Sequence, residues 1–121
     1  MTDGETSATV LGLHIHPVKG APGRDLQDAL VDEEGLRGDR RKKAPVQVIA
    51  AEDVADDTRA NVVVTLTSQD LAATVGAVLR LGEVELAVTG PAGSCPGVYA
   101  GVRRGGTLHL GDAVSVVGEP A

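Results

Sequence analysis

The sequence predicts an all-β domain, a closed or nearly closed barrel of about eight or nine short strands with one or two short helices. Three observations carry that reading. The apolar residues are dominated by 18 Val and 12 Leu with no Phe or Trp, and 16 Gly break them into short runs, a pattern that favours strands over long helices. Two glycine-centred tight turns, at Gly82-Glu83 and Gly105-Gly106, each separate a pair of apolar runs. At 121 residues the chain forms one domain large enough to bury an aliphatic core without staples. A polar tail over residues 1–7 is expected to fray, leaving residues 8–118 as the domain.

In chain order, residues 10–16 read as the first strand, ended by Pro17. A loop with two glycines and a proline follows, then a weaker strand over 26–31 and an acidic turn, Asp32-Glu33-Glu34-Gly35. Residues 46–49 form a strand and 50–57 a short helix. The run Asn61-Val62-Val63-Val64-Thr65 has no polar alternation, so that strand is expected to be covered on both faces. Ser68 caps one helical turn over 68–72. Strands over 78–81 and 84–88 form a hairpin across Gly82-Glu83, strands over 97–102 and 107–110 form another, and 113–117 closes the barrel.

Composition limits function. A net charge of −6 argues against general nucleic-acid binding, which depends on neutralising phosphates. The cations are clumped, however: Arg37, Arg40, Arg41, Lys42 and Lys43 fall close together, interrupted by Asp39, and a local positive patch on an acidic protein suits a small anion. One cysteine excludes an internal disulfide and fits a reducing compartment. No secretory apolar region follows Met1 and no apolar run approaches bilayer length, so a cytoplasmic protein without a membrane partner is expected.

The stretch from Leu86 to Tyr99 carries the chemistry. An apolar strand runs into Gly90-Pro91-Ala92-Gly93-Ser94-Cys95-Pro96-Gly97, which holds the only cysteine and precedes the only aromatic residue. Such a loop can aim backbone N–H groups at the sulfur and stabilise the reactive thiolate. An inert loop cysteine fits the same residues. Lys19 stands in a glycine-rich loop whose backbone can approach a phosphate closely, and Asp39 is placed to steady the Arg40 guanidinium. Arg59 and Asn61, two apart, can present a fork of donors, although a strand-entry turn also explains them. His14 and His16 share one strand face and would make a zinc or copper site only with Cys95 or His109.

Taken together, these segments resemble the MOSC domain, named after the C-terminal domain of molybdenum cofactor sulfurase. His16-Pro17-Val18-Lys19-Gly20 resembles the opening loop of that family, and Gly35-Leu36-Arg37-Gly38-Asp39-Arg40 its Gly-Leu-x-Gly-Asp-Arg turn. Arg59-Ala60-Asn61 and Leu81-Gly82-Glu83-Val84 resemble its centre, and Thr89-Gly90-Pro91 through Cys95 to Tyr99-Ala100 its cysteine loop. The match runs in order from Leu11 to Val117.

The resemblance implies a MOSC-like β-barrel whose cysteine ligates molybdenum in a bound molybdopterin cofactor or carries sulfur as a persulfide. It implies that Lys19 and Arg40, with Arg37 beside them, contact the cofactor phosphate, that Arg59 and Asn61 line the same cleft, and that Cys95 takes the metal or sulfur role. The partners it implies are a small anionic cofactor and a sulfurase of the pyridoxal phosphate-linked type or a reductase. Two departures bear on activity: Ala92 and Ser94 replace the Arg and Pro that commonly precede the cysteine, and only Pro96 and Gly97 separate it from the next strand. A short loop removes a wall that a substrate needs. That favours a cofactor or sulfur carrier over a reductase of N-hydroxylated compounds, with a degenerate barrel serving only as an interaction module as a third reading.

Overall fold

The valine segments that lack alternation lie side by side at the centre of the sheet. In the computed structural model, which describes residues 8–17, 23–39, 44–55, 60–92 and 96–118, β5 (Val46–Ala50) and β6 (Val62–Val64) pair in parallel. Val62 and Val64 point into the main core, while Val63 packs with Ile49 and Ala60 on the opposite face. The strand is therefore covered on both sides, as its unbroken apolar run requires.

Around that pair the chain builds β1 (Val10–Ile15), β2 (Arg24–Leu26), β3 (Asp28–Asp32), β4 (Gly35–Leu36), β7 (Val78–Leu81), β8 (Val84–Pro91), β9 (Val98–Arg104), β10 (Gly106–His109) and β11 (Val114–Gly118). Eight strands form one sheet in the order β11-β7-β8-β9-β5-β6-β1-β2, and β10-β3-β4 form a second. Ala29, Val31, Leu36 and Leu108 of the small sheet share one aliphatic core with Leu13, Val48, Leu79, Leu86 and Ala100 of the large one. Each Val or Leu side chain among them, fully buried, contributes roughly 1.5–3 kcal/mol over its exposed state.

The architecture is all-β, but the expected barrel does not close. The large sheet curls until Val10 N donates to the Asp112 carbonyl at 2.9 Å and Val114 N to the Ala8 carbonyl at 2.9 Å, with a single bridge between Thr9 and Ala113. No ladder continues from there, because the same edge of β1 is taken by β2 at Leu13, His14 and Ile15. β2 and β11 stand at the two ends of the sheet order. Among the described residues no helix is long and apolar enough to cross a membrane.

Local expectations fare unevenly. The Gly82-Glu83 hairpin forms as expected, with Leu81 opposite Val84 and Gly82 at φ +59°. The Gly105-Gly106 hairpin does not: β9 pairs with β8 and β5, whereas β10 pairs with β3. Gly105 is a crossing between sheets, and a Cβ there would collide with the Val31 carbonyl. Of the expected 50–57 helix, the described part forms a 3-10 turn, Ala51–Asp53, and residues 56–57 lie outside the described residues. Helix α1 (Ser68–Ala72) is capped by Thr67, whose hydroxyl accepts from Asp70 N at 3.0 Å. Ser68, the expected cap, instead donates its hydroxyl to the Asp53 carboxylate at 2.7 Å.

Candidate functional site

Cys95, Lys19, Arg40 and Arg59 lie outside the described residues. Described residues within three positions of each, His16, Asp39, Asn61 and Pro96, are linked around one buried amide. Asn61 is 0% exposed where β6 begins. Its Oδ1 accepts from Gln47 N at 3.0 Å, and its Nδ2 donates to the His14 carbonyl at 3.2 Å and to Asp39 Oδ2 at 2.9 Å. Both amide hydrogens are thereby used inside the protein. Asn61 therefore works as an internal brace, not as a donor lining an open cleft.

From that brace, hydrogen bonds run outward to each candidate segment. Asp39 Oδ1 accepts from His16 N at 2.7 Å, which ties the residue before Arg40 to the strand end that precedes Lys19. Gln47 Nε2 donates to the Pro96 carbonyl at 3.2 Å, reaching the residue after Cys95. Asn61 itself stands two residues after Arg59. The cysteine segment is bounded by a closed pair, Ala92 N to the Gly97 carbonyl at 3.1 Å. Gly97 sits at φ +94° with its Cα against the Val48 carbonyl, an approach that a side chain would block.

Beside this network, an open cleft of about 260 Å³ is lined by His14, His16, Gly23, Asp25, Val54, Ala55 and Val63. His14 and Asp25 are register partners across β1 and β2, and His14 Nδ1 meets Asp25 Oδ1 at 2.8 Å. The His16 ring rests on Gly23, where an added Cβ would lie 2.5 Å from its Nδ1. The two imidazoles thus do border one cleft, as their spacing predicts. Among the described residues no group of three His, Cys, Asp or Glu side chains can hold an ion, and Cys95, one of the two expected third ligands, lies outside them. His109 is placed on the other sheet, with Asp112 Oδ2 3.7 Å from its Nδ1.

Arg37 is exposed on the turn after β4, where its backbone N donates to the Leu30 carbonyl. The two functionally placed residues that the sequence hid are Gln47 and Asp25. Gln47 is an ordinary polar position in a strand, and its partner Pro96 is 49 residues away. Asp25 becomes visible only once β1 and β2 are registered.

No protein-family model matches the chain, and no curated protein does. Solved structures do resemble it. One, the YuaD protein from Bacillus subtilis, superposes with a TM-score of 0.75 at 16% identity, covering 90% of this chain and 94% of that one. Another, described as a hypothetical protein, gives a TM-score of 0.73 at 16% identity over 92% of this chain and 68% of that one. At this identity the likeness is one of fold.

Proposed function

We propose that the protein is a MOSC-like binding or carrier module for molybdenum cofactor, or for the sulfur attached to it, in a reducing cytoplasm. Cys95 is the metal ligand or persulfide site. Lys19 and Arg40 hold the phosphate, Arg59 lines the same cleft, and Arg37 adds positive charge nearby. One observation supports this above the rest: described residues within three positions of Cys95, Arg40, Arg59 and Lys19 belong to one hydrogen-bonded network, Pro96–Gln47–Asn61–Asp39–His16.

The donor set suits the group. A single thiolate is a soft ligand for a thiophilic metal, and the Lys19–Arg40 pair suits a phosphate. Both Asp39 oxygens are engaged by protein donors, so the only acid among the clumped cations opposes an incoming anion less than a bare carboxylate would. Bound there, the cofactor supplies a redox-active molybdenum centre. The chain's own residues bind and orient it: cations neutralise the phosphate, and the Asn61 brace joins Asp39, Gln47 and the end of β1 beside them. In the sulfur-carrier form, the Cys95 thiolate attacks the outer sulfur of a donor persulfide, a new S–S bond forms, and the donor leaves as a thiolate. The donor is a sulfurase partner.

The test is to purify the protein from a host that synthesises molybdopterin and to measure molybdenum, pterin and persulfide per chain, wild type against Cys95→Ser. Stoichiometric cofactor or a sulfur-mass increment that disappears in the variant supports the module. Added reductase turnover with N-hydroxylated substrates moves the reading to an enzyme. Absence of all three in the wild type overturns it and leaves the interaction module.

A further inference from the structure

We infer that the cleft beside β1 and β2 is a binding site for a small organic cation, with His14 Nε2 accepting a hydrogen bond from its N–H group. Neither Cys95 nor the clumped cations take part, so this site and the cofactor reading stand or fall separately.

The pairing of β1 with β2 sets His14 opposite Asp25, and His14 Nδ1 lies 2.8 Å from Asp25 Oδ1. A carboxylate only accepts, so Nδ1 carries the proton and Nε2 is left as an acceptor. Among the described residues Nε2 has no hydrogen-bond partner, and it is not sealed from solvent. Gly12 sets what surrounds it. A Cβ added at Gly12 would lie 2.9 Å from Nε2 and 3.4 Å from Val63 Cγ2, so the ring tip and Val63 flank the same point. Val63 lines the cleft, which places this acceptor against the apolar part of the lining. Any side chain at position 12 would crowd the nitrogen.

Charge and size select the occupant. The described lining holds one carboxylate, that of Asp25, and no lysine or arginine. A free lone pair beside a carboxylate favours a cation that carries N–H groups and opposes an anion. Val54, Ala55 and Val63 offer an apolar body a surface to rest on, and Val54 is 49% exposed. About 260 Å³ lies just below the range of drug-sized sites, which fits one small ring or short chain bearing an amidine, guanidine or amine.

The experiment titrates benzamidine into the full chain, with benzamide and benzoate as its neutral and anionic counterparts, and follows the imidazole proton–carbon NMR signals. Benzamidine is expected to move the His14 and His16 signals saturably, benzamide to move them less, and benzoate not at all. His109, which stands beside Asp112 on the other sheet, should not respond. His14→Phe deletes the acceptor and Gly12→Ala crowds it, and each should weaken benzamidine binding about tenfold, read from the His16 signals. Asp25→Asn should reduce the preference for benzamidine over benzamide about threefold. If Gly12→Ala fails to fold, His14→Phe and Asp25→Asn decide. Unmoved His14 and His16 signals in the wild type, an equal response to benzoate, or His109 moving in step with His14 would each overturn the site. So would wild-type affinity in His14→Phe or in folded Gly12→Ala, or an unchanged preference in Asp25→Asn.

Discussion

The Asn61 amide meets the Asp39 carboxylate at 2.9 Å, joining the start of a central strand to a turn 22 residues earlier. With its other bonds, this contact makes one asparagine responsible for the relative placement of β1, β5, β6 and the Gly38-Asp39 turn.

Asn61→Ala should therefore be among the most damaging single substitutions. It takes the Asn61 amide away from Gln47 N and the His14 carbonyl, and each buried unsatisfied group costs about 1–3 kcal/mol. Some of these groups regain water, so a total loss of about 2–4 kcal/mol is expected in urea unfolding. A midpoint equal to the wild type would contradict the brace.

Gly97 and Gly111 form a matched pair for separating strain from collision. Both have positive φ, +94° and +88°. A Cβ at Gly111 meets nothing within 4 Å, whereas at Gly97 it runs into the Val48 carbonyl. Gly111→Ala should cost about 1–2 kcal/mol, the left-handed penalty alone. Gly97→Ala should cost clearly more, because the hairpin must also move away from β5. Denaturation of the two variants side by side checks the difference.

Thr67→Ala removes the hydroxyl that accepts from Asp70 N and should cost about 1 kcal/mol, lowering the melting temperature by about 4 °C. Thr67→Ser keeps the acceptor and should recover most of that loss. A melt of Thr67→Ala indistinguishable from wild type would remove Thr67 from the cap.

Gly23→Ala places a methyl group 2.5 Å from the His16 ring and should turn that ring within the cleft. Proton–carbon NMR of the imidazoles is expected to show displaced His16 signals and unmoved His109 signals, since His109 lies on the other sheet. Unchanged His16 resonances would mean that the ring does not rest on Gly23.

What was legible in the sequence is what local chemistry determines. The Gly82-Glu83 hairpin and the doubly covered Val62–Val64 strand follow from turn type and hydrophobic period, both properties of a few adjacent residues. The Gly105-Gly106 turn was misread because a glycine pair that reverses a chain and one that hands it between sheets look alike in sequence. Barrel closure depends on which strand claims the free edge of β1, and β2 takes it with only three residues. Ser68 looked like the cap because Thr67 and Ser68 are both competent; the Asp53 carboxylate decides between them by engaging Ser68. At the candidate site the residue types were readable one by one. The brace that joins their neighbours was not, since its bonds span 14, 22, 23 and 49 residues.

The contact of Ala8 with Val114 has a kinetic corollary. Bringing such remote parts of the chain together demands loop closure before any reward is collected, and domains dominated by distant pairings fold in milliseconds to seconds, not microseconds. Refolding should accordingly be slow for a domain of this size. Severing that contact, which forms last if the central parallel pair comes first, should accelerate unfolding while leaving the refolding rate almost unaltered.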